Sequence, residues 1–216
     1  MHVDELSTRT QDYLKALWDL QEKGLEPAPM SELASRVGHK PSAATEAVKK
    51  LAAQGWVEHV PYAGVSLTCQ GHEVAVSMVR RHRLIETLLV NTLGFSWDEV
   101  HAEAERLEHA VSDTFISRVD ALLGHPVRDP HGDPIPQPDG SAEGLSTVVL
   151  ANVQGPATVE QVDDADPELL RFFSSAGILP EARVELISSA AGLCTLRVEG
   201  KDVVVAESVL SRIRVR

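Results

Sequence analysis

The stretch from residue 30 to residue 68 constrains the fold of this chain more than any other. A short helical pattern over 30–37 stops at Gly38. Pro41 opens a second helix, because the N–H that proline lacks has no partner in a first helical turn anyway. That helix runs to about Leu51 and stops near Gly55. Two β-rich pieces follow, 56–60 and 65–68, with Pro61 and Gly64 between them, and this predicts a hairpin. Helix, tight turn, helix and hairpin make a winged helix-turn-helix, in which the second helix enters the DNA major groove and the hairpin touches backbone. Upstream, Leu6, Tyr13, Leu14, Leu17, Trp18 and Leu20 recur at three- and four-residue spacing, which predicts one more helix ended by Gly24.

A net charge of -12 is unusual for a chain that binds nucleic acid. The acidity is uneven: residues 1–75 and 76–125 each carry -3, and residues 126–216 carry -6. An acidic middle segment suits a cation site, and a protein that needs metal to bind DNA can be too negative without it. Two cysteines, Cys69 and Cys194, lie far apart, which argues against a disulfide framework or a cysteine zinc site and fits a reducing cytosol. No run of 18 apolar residues and no basic-then-apolar leader is present, so a cytoplasmic protein with no membrane partner is expected.

From Gly71 to about Leu93 the pattern is one long helix with Val74, Met78, Ile85, Leu88 and Leu89 on its apolar side. After Gly94, the run Ser96-Trp97-Asp98-Glu99 has capping-box form and starts another helix, and a third follows over 113–123. Five prolines between 126 and 145 mark a linker. Beyond it, β-type runs over 146–153, 183–188, 193–198, 202–206 and 212–215, with a helix over 166–175, suggest a small β-barrel. The expected organisation is mainly α with a small β part. It consists of a winged helix-turn-helix (1–73), a helical dimerisation and metal-binding domain (74–125), a Pro-rich linker (126–145) and a small β-barrel (146–216).

The chemistry concentrates in His101-Ala102-Glu103-Ala104-Glu105-Arg106-Leu107-Glu108-His109. On a helix, His101, Glu105, Glu108 and His109 share an arc of roughly 100°. Upstream, His82 and Glu86 form an i, i+4 pair, also on one face. Imidazole with carboxylate is a ligand set for first-row divalent metals. A solvated charged face is the plain alternative for either group alone. Two such groups behind a winged helix favour a metal site. His39, His59, His72, His125 and His131 match no ligand position and read as surface or structural residues. Trp18, Trp56, Trp97 and Met78 read as core.

Here the chain resembles the diphtheria toxin repressor family of metal-dependent regulators, in its manganese-responsive branch with a C-terminal Src-homology-3-like domain. The resemblance rests on Asp12-Tyr13-Leu14, on 81–86, on 100–109 and on the segment 129–136. It implies an SH3-like (FeoA-type) barrel and a homodimer bound to double-stranded operator DNA. It also implies no small organic substrate and two metal sites per chain. The implied primary site is Asp12, Glu105, Glu108 and His109, completed by a backbone carbonyl, that of Glu105. The implied ancillary site is His82, Glu86 and His101, with Asp166 from the barrel. A second barrel position falls on Leu169, which cannot ligate, and Glu168 or Asp163 would substitute.

Iron-responsive relatives place methionine and cysteine where this chain has Asp12 and Glu105. Hard oxygen in place of soft sulfur suits Mn(II), so Mn(II) is the expected activator, with Fe(II), Co(II), Zn(II) or Cd(II) as in vitro substitutes. Relatives that bind two adjacent ions carry a second carboxylate one turn after the Asp12 position. Lys15 stands there instead and disfavours such a pair. In the second helix of the winged motif, Ser42, Ala44 and Thr45 are expected near base edges, Ala44 by touching a thymine methyl. Arg36, Lys40, Lys49 and Lys50 are expected at phosphates, and Tyr62 near backbone at the hairpin tip. The expected function is a Mn(II)-activated, non-enzymatic repressor of manganese homeostasis genes. The alternatives are an Fe(II)-responsive repressor of the same family, a winged-helix regulator sensing an organic ligand, and a small metallohydrolase. The metallohydrolase is disfavoured because a complete winged helix precedes the ligand cluster.

Overall fold

The computed structural model describes residues 3–60 and 63–216. The expected role of Tyr62 lies outside the described residues. The chain divides into two compact units: residues 1–82 with 136–141, and residues 83–135 with 142–216.

The first unit is the winged helix-turn-helix. Helix α1 (Thr8–Glu22) starts at Ser7, whose hydroxyl accepts from the Thr10 N–H at 3.3 Å and so satisfies one of the orphan donors of the first turn. Helix α2 (Met30–Arg36) and helix α3 (Pro41–Ala53) follow, with proline in the first turn of α3. Strands β1 (Val57–Val60) and β2 (Gly64–Leu67) pair antiparallel, with Val57 opposite Leu67. Tyr13, Leu14, Leu17, Leu33, Val48, Leu51, Trp56, Val65 and Met78 form one buried core. Helix α4 (Cys69–Leu93) begins in this unit, Val74, Ala75 and Met78 packing into that core.

In the second unit the remainder of α4 packs with α5 (Trp97–Leu107) and α6 (Asp113–Leu122) around Leu84, Ile85, Leu89, Val100, Ala104, Ile116 and Val119. The C-terminal part is a five-stranded antiparallel SH3-like sheet. Its strands are β3 (Pro156–Val162), β4 (Arg183–Ala190), β5 (Leu193–Val198), β6 (Lys201–Ala206) and β7 (Ile213–Val215), in the order β6-β5-β4-β3-β7. Helix α7 (Pro167–Ala176) lies between β3 and β4 in sequence and contributes Leu170 and Phe173 to the core beneath the sheet. Among the described residues, no helix is long and apolar enough to cross a membrane.

Two expectations fail here. The β-branched run over 146–153 is not a strand. It makes one bridge, Val149 to Arg214, then turns through a 3-10 segment at Leu150–Asn152 that buries Leu150. The strand is Pro156–Val162, paired to β4 at its start and to β7 beyond. Nor is 126–145 uniformly a linker. Residues 131–136 and Asp129 are buried. The Asp129 N–H donates to the Asp133 carbonyl at 3.0 Å, and the Val162 N–H of β3 donates to the His131 carbonyl at 3.0 Å. Gly132 explains how the loop comes so close: at φ +96°, a Cβ there would lie 2.1 Å from the Glu160 carbonyl oxygen, so only glycine fits. Proline count signals a turn-rich segment and carries no information about burial.

Candidate metal centre

Helix α5 ends at Leu107, and residues 108–110 form a turn, so Glu108 and His109 follow the helix rather than extend its face. Glu108 is fully buried, with its N–H held by the Ala104 carbonyl at 2.9 Å. His109 Nε2 lies 3.6 Å from Glu108 Oε1, and His101 Nε2 lies 3.8 Å from Glu105 Oε1. In the other unit, Asp12 is half-buried on α1, one turn before the buried Lys15. His82 is buried on α4, its Nδ1 2.9 Å from Lys15 Nζ.

A second constellation lies wholly within the second unit. Glu86 of α4 is fully buried, and its Oε1 is 3.2 Å from His101 Nδ1. Asp164, just after β3, puts Oδ2 3.6 Å from the same nitrogen. Ligand atoms of Glu86, His131 and Asp164 all lie within 4.8 Å of one another. His131 is fully buried, and its Nε2 is 3.3 Å from the Trp97 carbonyl oxygen. A carbonyl only accepts, so Nε2 carries the ring proton and Nδ1 keeps its lone pair. Nδ1 is buried and has no hydrogen-bond partner among the described residues. An imidazole anchored by one N–H on a backbone carbonyl, with its other nitrogen left without a hydrogen-bond partner, is an arrangement that suits a metal-bound histidine. The donors are oxygen and imidazole nitrogen, and they fit a divalent cation.

The loop that delivers His131 is built by Asp129 and Arg83. Asp129 Oδ1 accepts from the His131 and Asp133 N–H groups, both at 2.9 Å, which fixes the turn. Arg83 donates to the Pro134 carbonyl and stands 3.9 Å from Asp129 Oδ2 and 3.8 Å from Asp133 Oδ1. Burial, and then the Glu86 charge, push the Asp129 carboxyl up to about 8 against the pull of Arg83.

Sequence alone gave His131 no ligand role and did not single out Asp164, both of which are candidate ligands here. His131 sits in a Pro-rich loop with no periodicity to expose it, and a histidine beside an Asx-turn aspartate and a glycine was its only local signal. Asp166, expected at the ancillary site, N-caps α7: its Oδ1 accepts from the Glu168 and Leu169 N–H groups at 2.9 and 3.3 Å. Asp163 pairs with Arg212 at 2.6 Å, and Glu168 is exposed.

On α3, the expected DNA contacts divide. Ser42, Lys49 and Lys50 are exposed, as is Lys40 before the helix. Lys49 pairs with Glu46 at 2.9 Å. Thr45 returns its hydroxyl to the Pro41 carbonyl at 2.9 Å. Ala44 is fully buried in the core, so it cannot reach a thymine methyl, whereas Ala43 is exposed. Arg36 is engaged by Asp19 at 2.5 Å, so its guanidinium is held on its own domain.

Comparison with known proteins agrees with this architecture. Residues 5–65 match the model of the iron dependent repressor N-terminal DNA binding domain. Residues 68–137 match the iron dependent repressor metal binding and dimerisation domain, and 147–216 match the FeoA domain. The chain is similar to a solved manganese-dependent transcriptional repressor in complex with manganese. That match has a TM-score of 0.88 and 44% identity, and covers 95% of this chain and 98% of that one. It is similar to the manganese regulator SloR, with a TM-score of 0.78 and 33% identity over 96% and 97% of the two chains. It is 31% identical to the iron-dependent repressor IdeR of Mycobacterium leprae over 93% of each chain.

Proposed function

The chain belongs to the iron-dependent repressor family of metal-dependent transcriptional repressors, and on that premise we propose that it is a Mn(II)-activated repressor that binds operator DNA as a homodimer in the cytoplasm. The donor chemistry carries this reading. The candidate ligands are carboxylates and imidazoles with no thiolate among them, and such donors suit Mn(II) where sulfur favours softer ions. The manganese named for two similar structures supports it further.

Two sites per chain follow. The first takes Asp12, Glu105, Glu108 and His109. The second takes Glu86 and His101, the pair expected there with His82, and His131 and Asp164 stand ready to add to it while Asp166 caps α7. A bound ion supplies positive charge and a coordination geometry shared by its ligands. Asp12 belongs to the DNA-binding domain and its co-ligands to the dimerisation domain, so their common occupation restricts the hinge between the domains. Restricting it fixes the separation of the two α3 helices in a dimer, which a palindromic operator requires. Glu105, Glu108 and Asp12 repel one another in the absence of a cation, and that repulsion favours the loose state. Metal therefore acts through its higher affinity for the DNA-competent state, and DNA must tighten metal binding by the same factor. Ser42 and Ala43 on α3 are offered to base edges, with Lys40, Lys49 and Lys50 to phosphates.

An Fe(II)-responsive repressor is the second reading, because a relative of 31% identity is named iron-dependent. Anaerobic DNA-binding titrations with Mn(II), Fe(II), Co(II) and Zn(II) separate the two. Mn(II) is expected to activate the wild type better than Fe(II), and Glu105→Cys to reverse that order. Activation of the wild type by Fe(II) but not by Mn(II) overturns the manganese assignment.

A further inference from the structure

Helix α3 carries a carboxylate where a DNA-binding helix is expected to carry donors. Its buried residues, Ala44, Val48 and Leu51, mark the face turned to the core. At about 100° per residue they span an arc of about 60°. Glu46 lies within about 10° of the direction diametrically opposite, closer to it than Ser42 at about 30° or Ala43 at about 70°. The Glu46 side chain is 67% exposed, and its Oε1 accepts from Lys49 Nζ at 2.9 Å. The hydrogen bond from Lys49 holds this carboxyl below the usual carboxylate range, so it is ionised at neutral pH and only accepts. An exposed ion pair of this kind is worth little, so opening it on DNA costs little.

A helix seated in the major groove turns the face opposite its core towards the base edges. Glu46 stands at the centre of that face, one turn after Ser42. Phosphates repel it, and so do base edges that offer lone pairs: guanine shows N7 and O6, and thymine shows O4. Two bases offer an amino group. Adenine sets N7 beside its N6 amino group, so a carboxylate there meets a lone pair as well. Cytosine offers its N4 amino group with no acceptor beside it. We propose that Glu46 is a specificity-determining residue of α3, accepting a hydrogen bond from the N4 amino group of one cytosine in each operator half-site and rejecting other bases at that position. The rejection arises on wrong sequences, where a carboxylate stripped of water faces acceptors. This role rests on the DNA-binding reading above, with Lys49 released to phosphate.

Binding-site selection with the full-length protein and Mn(II) tests it. Random-sequence duplexes are captured by the wild type, Glu46→Gln, Glu46→Ala and Lys49→Gln and sequenced, and single-base variants of the selected site then compete for each protein. In the wild type, one cytosine per half-site is expected whose replacement weakens binding by about 10-fold or more. Glu46→Gln should move the preference at that position to adenine, because glutamine pairs with N6 and N7 together. Glu46→Ala should flatten that position and leave the others unchanged. Lys49→Gln should weaken binding to every sequence alike and keep the cytosine. A wild-type profile without such a cytosine, or an unchanged profile in folded Glu46→Ala, overturns the assignment. A cytosine preference lost in Lys49→Gln and kept in Glu46→Ala gives the readout to the lysine and overturns it too. A wild type that selects no sequence with Mn(II) sinks the repressor reading itself, and this role with it.

Discussion

The end of α5 and the loop from Asp129 to Pro134 both present carboxylates and a histidine, and they are built by opposite means. Around α5, helical repeat brings His101 and Glu105 to one side, and the turn that follows buries Glu108 beside His109. Most of that arrangement comes from contacts a few residues apart. The loop has no repeat. His131 is held by an Asx-turn carboxylate, by the close passage of Gly132 over β3, and by a carbonyl on α5. Its placement depends on contacts with residues roughly thirty positions away in either direction, such as Trp97 and Val162. The first region should therefore tolerate change around its ligands, while the second should lose its site when the packing beneath it changes.

The largest effect is expected at the first region. Glu108→Ala removes a buried candidate ligand and should weaken Mn(II)-activated DNA binding by about 100-fold. Gel-shift titration checks this, and near-wild-type activation would break the assignment of α5 as the regulatory site. His131→Ala should lower affinity at one of two Mn(II) sites by about 10- to 100-fold and leave the other intact, as read by calorimetric titration. His125→Ala is the control, since His125 is exposed and pairs with Asp120. An equal loss in both variants would remove the distinction drawn for the loop.

Gly132→Ala sharpens the comparison through stability. Its Cβ would be driven against the Glu160 carbonyl, and overpacking of that kind costs about 1–3 kcal/mol. Calorimetry of the metal-free protein should show a Tm lower by roughly 2–4 °C for each of those kcal/mol. An unchanged Tm would mean that the loop is not packed as described. The smallest effect separates two neighbouring acids. Asp166→Ala should cost about 1 kcal/mol as a lost helix cap and leave the Mn(II) count unaltered. Asp164→Ala should lower second-site affinity instead, and the reverse result would return Asp166 to the metal.

The winged helix-turn-helix was legible because each part carries its own local signal: Gly38 and Pro41 between the two helices, and Gly64 in the hairpin. The position of Ala44 was not, since neighbouring alanines look alike in a sequence and only tertiary packing decides that Ala44 faces the core and Ala43 faces outward. The pairing of Arg36 was not legible for a related reason, because its partner Asp19 belongs to a different helix. The strand at Pro156–Val162 was hidden behind a more β-branched run at 146–153, whose backbone finds only isolated pairing.

By itself, the sequence determined most of the elements, the family, and the chemical class of the candidate ligands, since capping residues, helical repeat and residue type act over a few positions. The tertiary structure alone decided which ligands meet. Around Glu86 stand groups brought from α5, the Pro-rich loop and the end of β3, and the close approach of Gly132 to β3 is what delivers His131 there. That approach is a consequence of burial, where a misplaced methyl costs more than any local preference can offset.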